Sequence, residues 1–185
     1  MLVTTKPAGD SRTAIAEAAA TKPLVHVVED EPSILALFRN MGRLSGFDVA
    51  TYDTMKAFLD EFDTARTGCI VLDLNLPDGT GIEILEQLAA RNCCMPVVFM
   101  SGMARVSEAV AALKLGSLDF VEKPFDLNNM LASVRRAIAT DVERRSESAR
   151  VNAISSRFSR LTPRETEVME FVVRGSPNKE IAARL

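Results

Sequence analysis

Short apolar runs alternate with longer amphipathic stretches from Leu24 to Ile138. The short runs are apolar at nearly every position, which is typical of strands that are buried on both faces. The stretches between them repeat apolar residues every three or four positions, which predicts helices that pack one side against a sheet. The predicted strands are 24–28, 47–51, 69–72, 96–100 and 118–121, and the predicted helices are 33–44, 55–62, 81–90, 106–115 and a last one capped by Asp126.

The alternation gives five βα units within residues 23–140. Strands that are buried on both faces need helices above and below the sheet, and each connection is long enough to contain a crossover helix. We therefore predict an α/β fold with a five-stranded parallel, doubly wound sheet of the flavodoxin-like kind. The expected strand order is 2-1-3-4-5.

The flanking segments lack this alternation. Residues 1–22 are rich in Thr, Ala and Lys and predict a mobile N-terminal arm. Residues 141–160 are charged and Ser-rich. A first turn of this stretch can extend the preceding helix, and the remainder predicts a linker.

A second helical pattern starts at Leu161. Thr162 and Glu165 have the spacing of a capping box, and an apolar stripe follows as far as Gly175. A shorter helix after Pro177 places Ile181 and Leu185 one turn apart. Two helices of this length bury too little surface to form a core of their own, so 161–185 predicts an incomplete all-α segment.

Composition narrows the possible partners. Residues 23–140 contain ten basic and sixteen acidic side chains, which disfavours nonspecific binding of nucleic acid, whereas 141–185 contain nine basic and seven acidic ones. The three cysteines do not have zinc-site spacing and predict reduced thiols, which indicates a cytoplasmic protein. Apolar stretches are too short to span a bilayer, so no membrane partner is expected.

Acidic residues follow two strands that are neighbours in the predicted order. Glu29 and Asp30 follow the first strand, and Asp73 ends the third. Two carboxylates about 4 Å apart repel by roughly 4 kcal/mol at an effective dielectric near 20, so the cluster needs a cation. Hard oxygen ligands favour Mg²⁺, to which the backbone carbonyl of Asn75 is a further candidate ligand. Lys123, after the fifth strand, adds a fixed positive charge.

This combination favours phosphoryl transfer to an aspartate. Mg²⁺ and Lys123 would neutralise the phosphoryl oxygens, Ser101 could donate a hydrogen bond to one of them, and Asp73 would be the nucleophile. Each residue alone has an ordinary explanation as a loop, cap or surface residue. Their predicted meeting at one edge of the sheet is what favours a shared function.

The stretch from Val25 to Thr140 resembles the receiver domains of two-component response regulators. The matching segments are Val27–Glu31, Ile70–Gly79, Met100–Gly102 and Phe120–Phe125. The resemblance implies that Glu29 and Asp30 hold Mg²⁺, that Asp73 accepts phosphate from a sensor histidine kinase, that Lys123 binds the phosphate and that the Lys123–Pro124 bond is cis. Glu29 stands where many members have Asp, and its longer side chain is expected to reach the metal directly or through water.

The resemblance also implies a switch. Ser101 would be the switch hydroxyl and Phe120 the switch aromatic residue. Phosphorylation would then change the surface formed by the fourth helix, the fifth strand and the fifth helix. That surface is expected to support a homodimer in the phosphorylated state.

Residues 161–185 resemble the front part of a LuxR-type helix-turn-helix domain. The matching residues are Leu161–Glu165, Gly175 and Asn178–Ala182. The recognition helix, which would enter the major groove, lies beyond this match. DNA is therefore expected as a partner only if the helix-turn-helix is complete in the native protein.

The predicted function is a phosphorylation-controlled transcription regulator rather than an enzyme. The alternative is a receiver with a helical stub that binds proteins or drains phosphate. A phosphatase of the haloacid dehalogenase kind would need a second acid where Asn75 stands, so this class is disfavoured. A flavin-binding module is disfavoured as well, because the acidic loop after the first strand would repel the phosphate of the flavin. His26, the one histidine, lies inside the first strand and predicts a core residue, so the chain receives phosphate and does not originate it.

Overall fold

A computed structural model describes residues 21–102, 110 and 112–184. The elements in chain order are β1 (Leu24–Val28), α1 (Pro32–Ser45), β2 (Asp48–Tyr52), α2 (Met55–Glu61), β3 (Gly68–Asp73), β4 (Asn75–Leu76), β5 (Gly79–Thr80), α3 (Gly81–Ala90), β6 (Val97–Ser101), β7 (Asp119–Glu122), α4 (Leu127–Phe158), α5 (Pro163–Val173) and α6 (Asn178–Arg184). Most of the predicted arm (1–20) lies outside the described residues. So do 106–109 and 111 of the predicted helix over 106–115, whereas 112–114 are helical.

The main sheet is parallel and has five strands in the order β2-β1-β3-β6-β7. This is the predicted order 2-1-3-4-5, because β6 and β7 are the fourth and fifth strands of the sequence-based count. β1 lies between β2 and β3, with Val25 opposite Val49 on one side and Cys69 on the other. The predicted doubly wound fold is confirmed.

Apolar residues fill both faces of the sheet. Alternate residues of β3 point to opposite sides, so Cys69 and Val71 belong to one cluster and Ile70 and Leu72 to the other. The first cluster is completed by α1 and α4, through Phe38 and Met130 among others. The second is completed by α2 and α3, through residues such as Phe58, Ile84 and Leu88.

His26 is part of this core, as predicted. Its side chain is buried, and its Nδ1 atom lies 3.1 Å from the hydroxyl oxygen of Tyr52. The ring stacks on Tyr52 and packs its edge against Phe62. Burial lowers the pKa of His26 to about 4, so the ring is neutral at physiological pH and its role is structural.

A two-stranded hairpin that the apolar pattern does not reveal follows β3. Asn75 pairs with Thr80 and Leu76 with Gly79, and the Gly81 amide donates a hydrogen bond to the Leu74 carbonyl at 3.0 Å. A Cβ atom on Gly81 would lie 2.3 Å from the carbonyl oxygen of Asp73. The hairpin therefore returns directly against the backbone of Asp73, which only glycine permits.

Helix α4 is longer than the sequence predicts. It starts after Asp126, whose carboxylate accepts a hydrogen bond from the Asn129 amide at 3.2 Å, and it runs through most of the predicted linker over 141–160. The reason is that this segment contains no glycine or proline that would end a helix. None of the helices in the described part of the chain is both long and apolar enough to cross a membrane.

Asp141 belongs to the packing of the α/β unit and not to a linker. Its side chain is buried, and its carboxylate accepts a hydrogen bond from the Gly68 amide at the start of β3, at 2.9 Å. This contact fixes α4 to the sheet near the end of the compact unit. The boundary between the two units of the chain falls between Glu143 and Arg144.

The second unit contains α5 and α6. Thr162 and Glu165 form the predicted capping box, with Pro163 in the first turn of α5. Gly175 has a φ angle of 75°, which is consistent with its predicted role as a helix stop. Ile181 is buried, whereas Leu185, predicted to lie one turn later, is outside the described residues.

Replacing Asp141 by Ala should lower the free energy of unfolding of the α/β unit by about 1–3 kcal/mol, because the buried Gly68 amide loses its partner. The nearby exposed Glu143→Ala is the control and should stay within about 0.5 kcal/mol of the parent. Urea denaturation followed by circular dichroism measures both. Equal effects of the two substitutions would contradict the assignment of Asp141 to the packing of the α/β unit.

Gly81→Ala should destabilise the protein by about 1–3 kcal/mol, because the added methyl group meets the Asp73 carbonyl and the Phe99 ring. Gly102→Ala is the matched control, since the nearest atom to its Cβ among the described residues would be 3.9 Å away. Thermal unfolding of the two variants tests the close approach. A Gly81 variant as stable as the Gly102 variant would show that the hairpin does not press on Asp73.

Candidate functional site

Three carboxylates meet at the carboxyl edge of the sheet. Glu29 and Asp30 occupy the short loop between β1 and α1, and Asp73 is the last residue of the neighbouring strand β3. One oxygen from each lies within 4.8 Å of the others. Glu29 and Asp73 are buried, whereas Asp30 is exposed, so one side of the cluster faces solvent.

Lys123 lies directly against this cluster. It follows Glu122, the last residue of β7, and its Nζ atom donates hydrogen bonds to Glu29 and, at 2.7 Å, to Oδ2 of Asp73. Its side chain is only 15% exposed. The Lys123–Pro124 peptide bond is cis, as the sequence resemblance implied.

The two buried carboxylates are held in the same way. One oxygen of each accepts a hydrogen bond from Lys123, and the other accepts a hydrogen bond from the backbone amide two residues later in the chain. These amides belong to Glu31, 3.1 Å from Oε1 of Glu29, and to Asn75, 3.2 Å from Oδ1 of Asp73. The backbone beyond each strand therefore sets the orientation of the carboxylate at its end.

Burial and charge act against each other in this cluster. Burial raises the pKa of Glu29 to about 6, although the hydrogen bond from Lys123 works in the opposite direction. Burial also disfavours the charged form of Lys123, but the hydrogen bonds to Asp73 and Glu29 outweigh it, so the pKa of Lys123 is raised. Among the described residues, Lys123 is the one cation bonded to this group of three acidic side chains, which leaves the site attractive to a divalent cation.

Ser101 and Phe120 lie on β6 and β7, the two strands that follow β3 in the order of the sheet. Ser101 ends β6, is fully buried, and its carbonyl accepts a hydrogen bond from the Lys123 amide at 2.8 Å. Phe120 is half-buried in β7, opposite Phe99, and packs against the second apolar cluster. The structure thus places Ser101 at the carboxyl edge of the sheet and packs Phe120 against the second apolar cluster.

Sequence reasoning missed Asp78. Its two carboxylate oxygens accept hydrogen bonds from the first amides of α2, 2.8 Å from Met55 N and 2.9 Å from Lys56 N. The Pro77-Asp78-Gly79 sequence signals a turn, but a turn signal does not reveal a partner more than twenty residues away.

Two family models match the chain. Residues 25–135 match the response regulator receiver domain, and residues 159–185 match the bacterial regulatory proteins of the luxR family. The first match contains the acidic cluster and Lys123. The second contains α5 and α6.

Named relatives align with this chain over most of their length. The transcriptional regulatory protein FixJ of Azorhizobium caulinodans is 38% identical over 159 residues, which cover 85% of this chain and 75% of FixJ. The response regulator protein TodT of Pseudomonas putida is 30% identical over 162 residues, or 88% of this chain and 71% of TodT.

The similar solved structures are also of response regulators. The response regulator StyR matches with a TM-score of 0.82 and 35% identity, covering 89% of this chain and 83% of StyR. Full-length FixJ from B. japonicum matches with a TM-score of 0.63 and 34% identity, covering 89% and 81%. The chain therefore belongs to the response regulator family and is a two-component regulator in which a receiver domain precedes a LuxR-type, DNA-binding output domain.

Proposed function

We propose that Asp73 is the phosphoryl acceptor of this regulator and that a sensor histidine kinase is its donor. The observation that carries the proposal is the shared ammonium of Lys123, which contacts Asp73 and Glu29 at one partly buried edge of the sheet. Among the acidic residues that the structure describes, only Asp73 lies on the central strand of the sheet, contacts Lys123 and has an exposed acid beside it. We assign the receiver to residues 23–140 and the LuxR-type segment to residues 161–185.

Mg²⁺ is the proposed cofactor. The donor set fits it, because the oxygens of Glu29, Asp30 and Asp73 lie close together and Asp30 opens to solvent, which leaves room for retained waters. The backbone carbonyl of Asn75 is the fourth proposed ligand. When bound, the ion would neutralise negative charge on the transferred phosphoryl group.

The chain's own residues would position the reaction. The P–N bond of a phosphohistidine in the kinase breaks, a P–O bond to the Asp73 carboxylate forms, and the histidine nitrogen is left to take up a proton. Lys123 would stabilise charge on the phosphoryl oxygens, and Ser101 would donate a hydrogen bond to one of them. The Asn75 amide keeps Oδ1 of Asp73 oriented meanwhile.

A phosphoryl group adds a charge of about −1.5 to −2 at Asp73. We propose that Ser101 and Lys123 move towards it and that Phe120, which packs against the second apolar cluster, changes position into the space that Ser101 leaves. These movements would then change one surface of the receiver, which is formed by the predicted helix over 106–115, β7 and the first turns of α4. This surface is the proposed homodimer contact through which phosphorylation controls DNA binding.

The experiment is phosphorylation by a small-molecule phosphoryl donor, followed by intact-protein mass spectrometry. The parent chain should gain one phosphoryl group in Mg²⁺ and none with a chelator, and Asp73→Asn should gain none. Asp53→Asn is the control, because Asp53 is an exposed acid that follows β2 at the same edge of the sheet, and it should react like the parent. Undiminished labelling of the Asp73 variant would refute the assignment.

A further inference from the structure

We propose that Asp78 is a positioning residue for phosphoryl transfer, because it fastens the hairpin that follows the acceptor to the start of α2. Through this hairpin Asp78 would determine where Asn75 lies relative to Asp73 and to the bound Mg²⁺. The inference rests on the proposed function of Asp73. It assigns a role to a residue that touches none of the reacting groups.

The contact itself is bidentate. The first amides of a helix have no partner within the helix, and Asp78 accepts from two of them in α2, those of Met55 and Lys56. A carboxylate is also favoured at this end of a helix by the alignment of the peptide dipoles. The hydrogen bond from the Lys56 amide, followed by that from Met55, holds the pKa of Asp78 below its ordinary value.

The tip of the hairpin is seated closely beside this contact. A Cβ atom on Gly79 would lie 2.7 Å from the terminal carbon of Met55 and 2.9 Å from the carboxylate of Glu83 in α3. The tip therefore fits between α2 and α3, with Asp78 as its polar attachment and Gly79 as its close packing contact.

The hairpin transmits this attachment to the acceptor. Asn75 pairs with Thr80 in β4 and β5, only a few residues from the tip, and its amide donates to Oδ1 of Asp73. Because the hairpin is this short, a shift of the tip displaces Asn75. Both the orientation of the Asp73 carboxylate and the proposed metal contact from the Asn75 carbonyl would then change.

A purely structural role for Asp78 can be separated from this one. The first turn of α2 has a second cap, since the Thr54 hydroxyl accepts a hydrogen bond from the Ala57 amide at 3.2 Å. Thr54 caps the same helix from the chain segment that precedes it and not from the hairpin. Thr54→Ala is therefore a matched control that weakens the helix start and leaves the hairpin attached.

The test compares Asp78→Ala, Asp78→Asn and Thr54→Ala with the parent in full-length protein. Thermal unfolding monitors stability, calorimetric titration gives the Kd for Mg²⁺, and mass spectrometry gives the rate of phosphorylation by a small-molecule donor. We expect Asp78→Ala to raise the Kd for Mg²⁺ and slow phosphorylation about tenfold, in the range seen when groups supporting metal ligands are removed. Asp78→Asn, which keeps one acceptor oxygen, should recover part of both.

Thr54→Ala should lower the unfolding midpoint and leave Mg²⁺ affinity and rate at the parent values. The inference is overturned if Asp78→Ala, or Asp78→Asn should the alanine variant not fold, matches Thr54→Ala in Kd and rate while the parent is phosphorylated on Asp73. If the parent itself is not phosphorylated on Asp73, the proposed function fails and this inference fails with it. The asparagine variant keeps the test decisive should the alanine variant not fold.

Discussion

One ammonium shared between two buried carboxylates is the interaction on which the functional site depends. Glu29 and Asp73 end neighbouring strands and face each other out of solvent, which would be costly without a compensating charge. Lys123 reaches both from the end of β7. The parallel order of the sheet makes this possible, because it brings the carboxyl ends of these strands to one edge.

The rest of the fold holds that edge in place. The Gly81 backbone packs against Asp73 and closes the hairpin, and the proposed attachment through Asp78 ties the hairpin to α2. On the opposite side of the unit, Asp141 connects α4 to the start of β3, the strand that ends in Asp73. A strand that is restrained at both ends agrees with the proposal that phosphorylation of Asp73 acts on β6, its neighbour in the sheet, and on β7 beyond it.

The fold and the main residues of the site could be predicted from the sequence, for physical reasons. Hydrophobic periodicity predicts the strands and helices, and the parallel order then brings Glu29, Asp73 and Lys123 together. The contacts that escaped prediction join residues far apart in the chain. Asp141 was assigned to a charged linker, yet its carboxylate accepts a hydrogen bond from an amide more than seventy residues earlier. No pattern in the sequence indicated that Asp78 contacts the start of α2. The charged, Ser-rich composition of residues 141–160 indicated a linker, although the absence of glycine and proline allows α4 to continue through this segment.

The most direct test of the shared-ammonium account is the effect of Mg²⁺ on the stability of Lys123→Met, which removes the charge and keeps an unbranched side chain. Without Mg²⁺ the variant should unfold at a lower temperature than the parent, because Glu29 and Asp73 then face each other uncompensated. Saturating Mg²⁺ should raise the variant's unfolding midpoint by more than it raises the parent's, since the ion then supplies the missing charge. Equal increases in the two proteins would contradict the account.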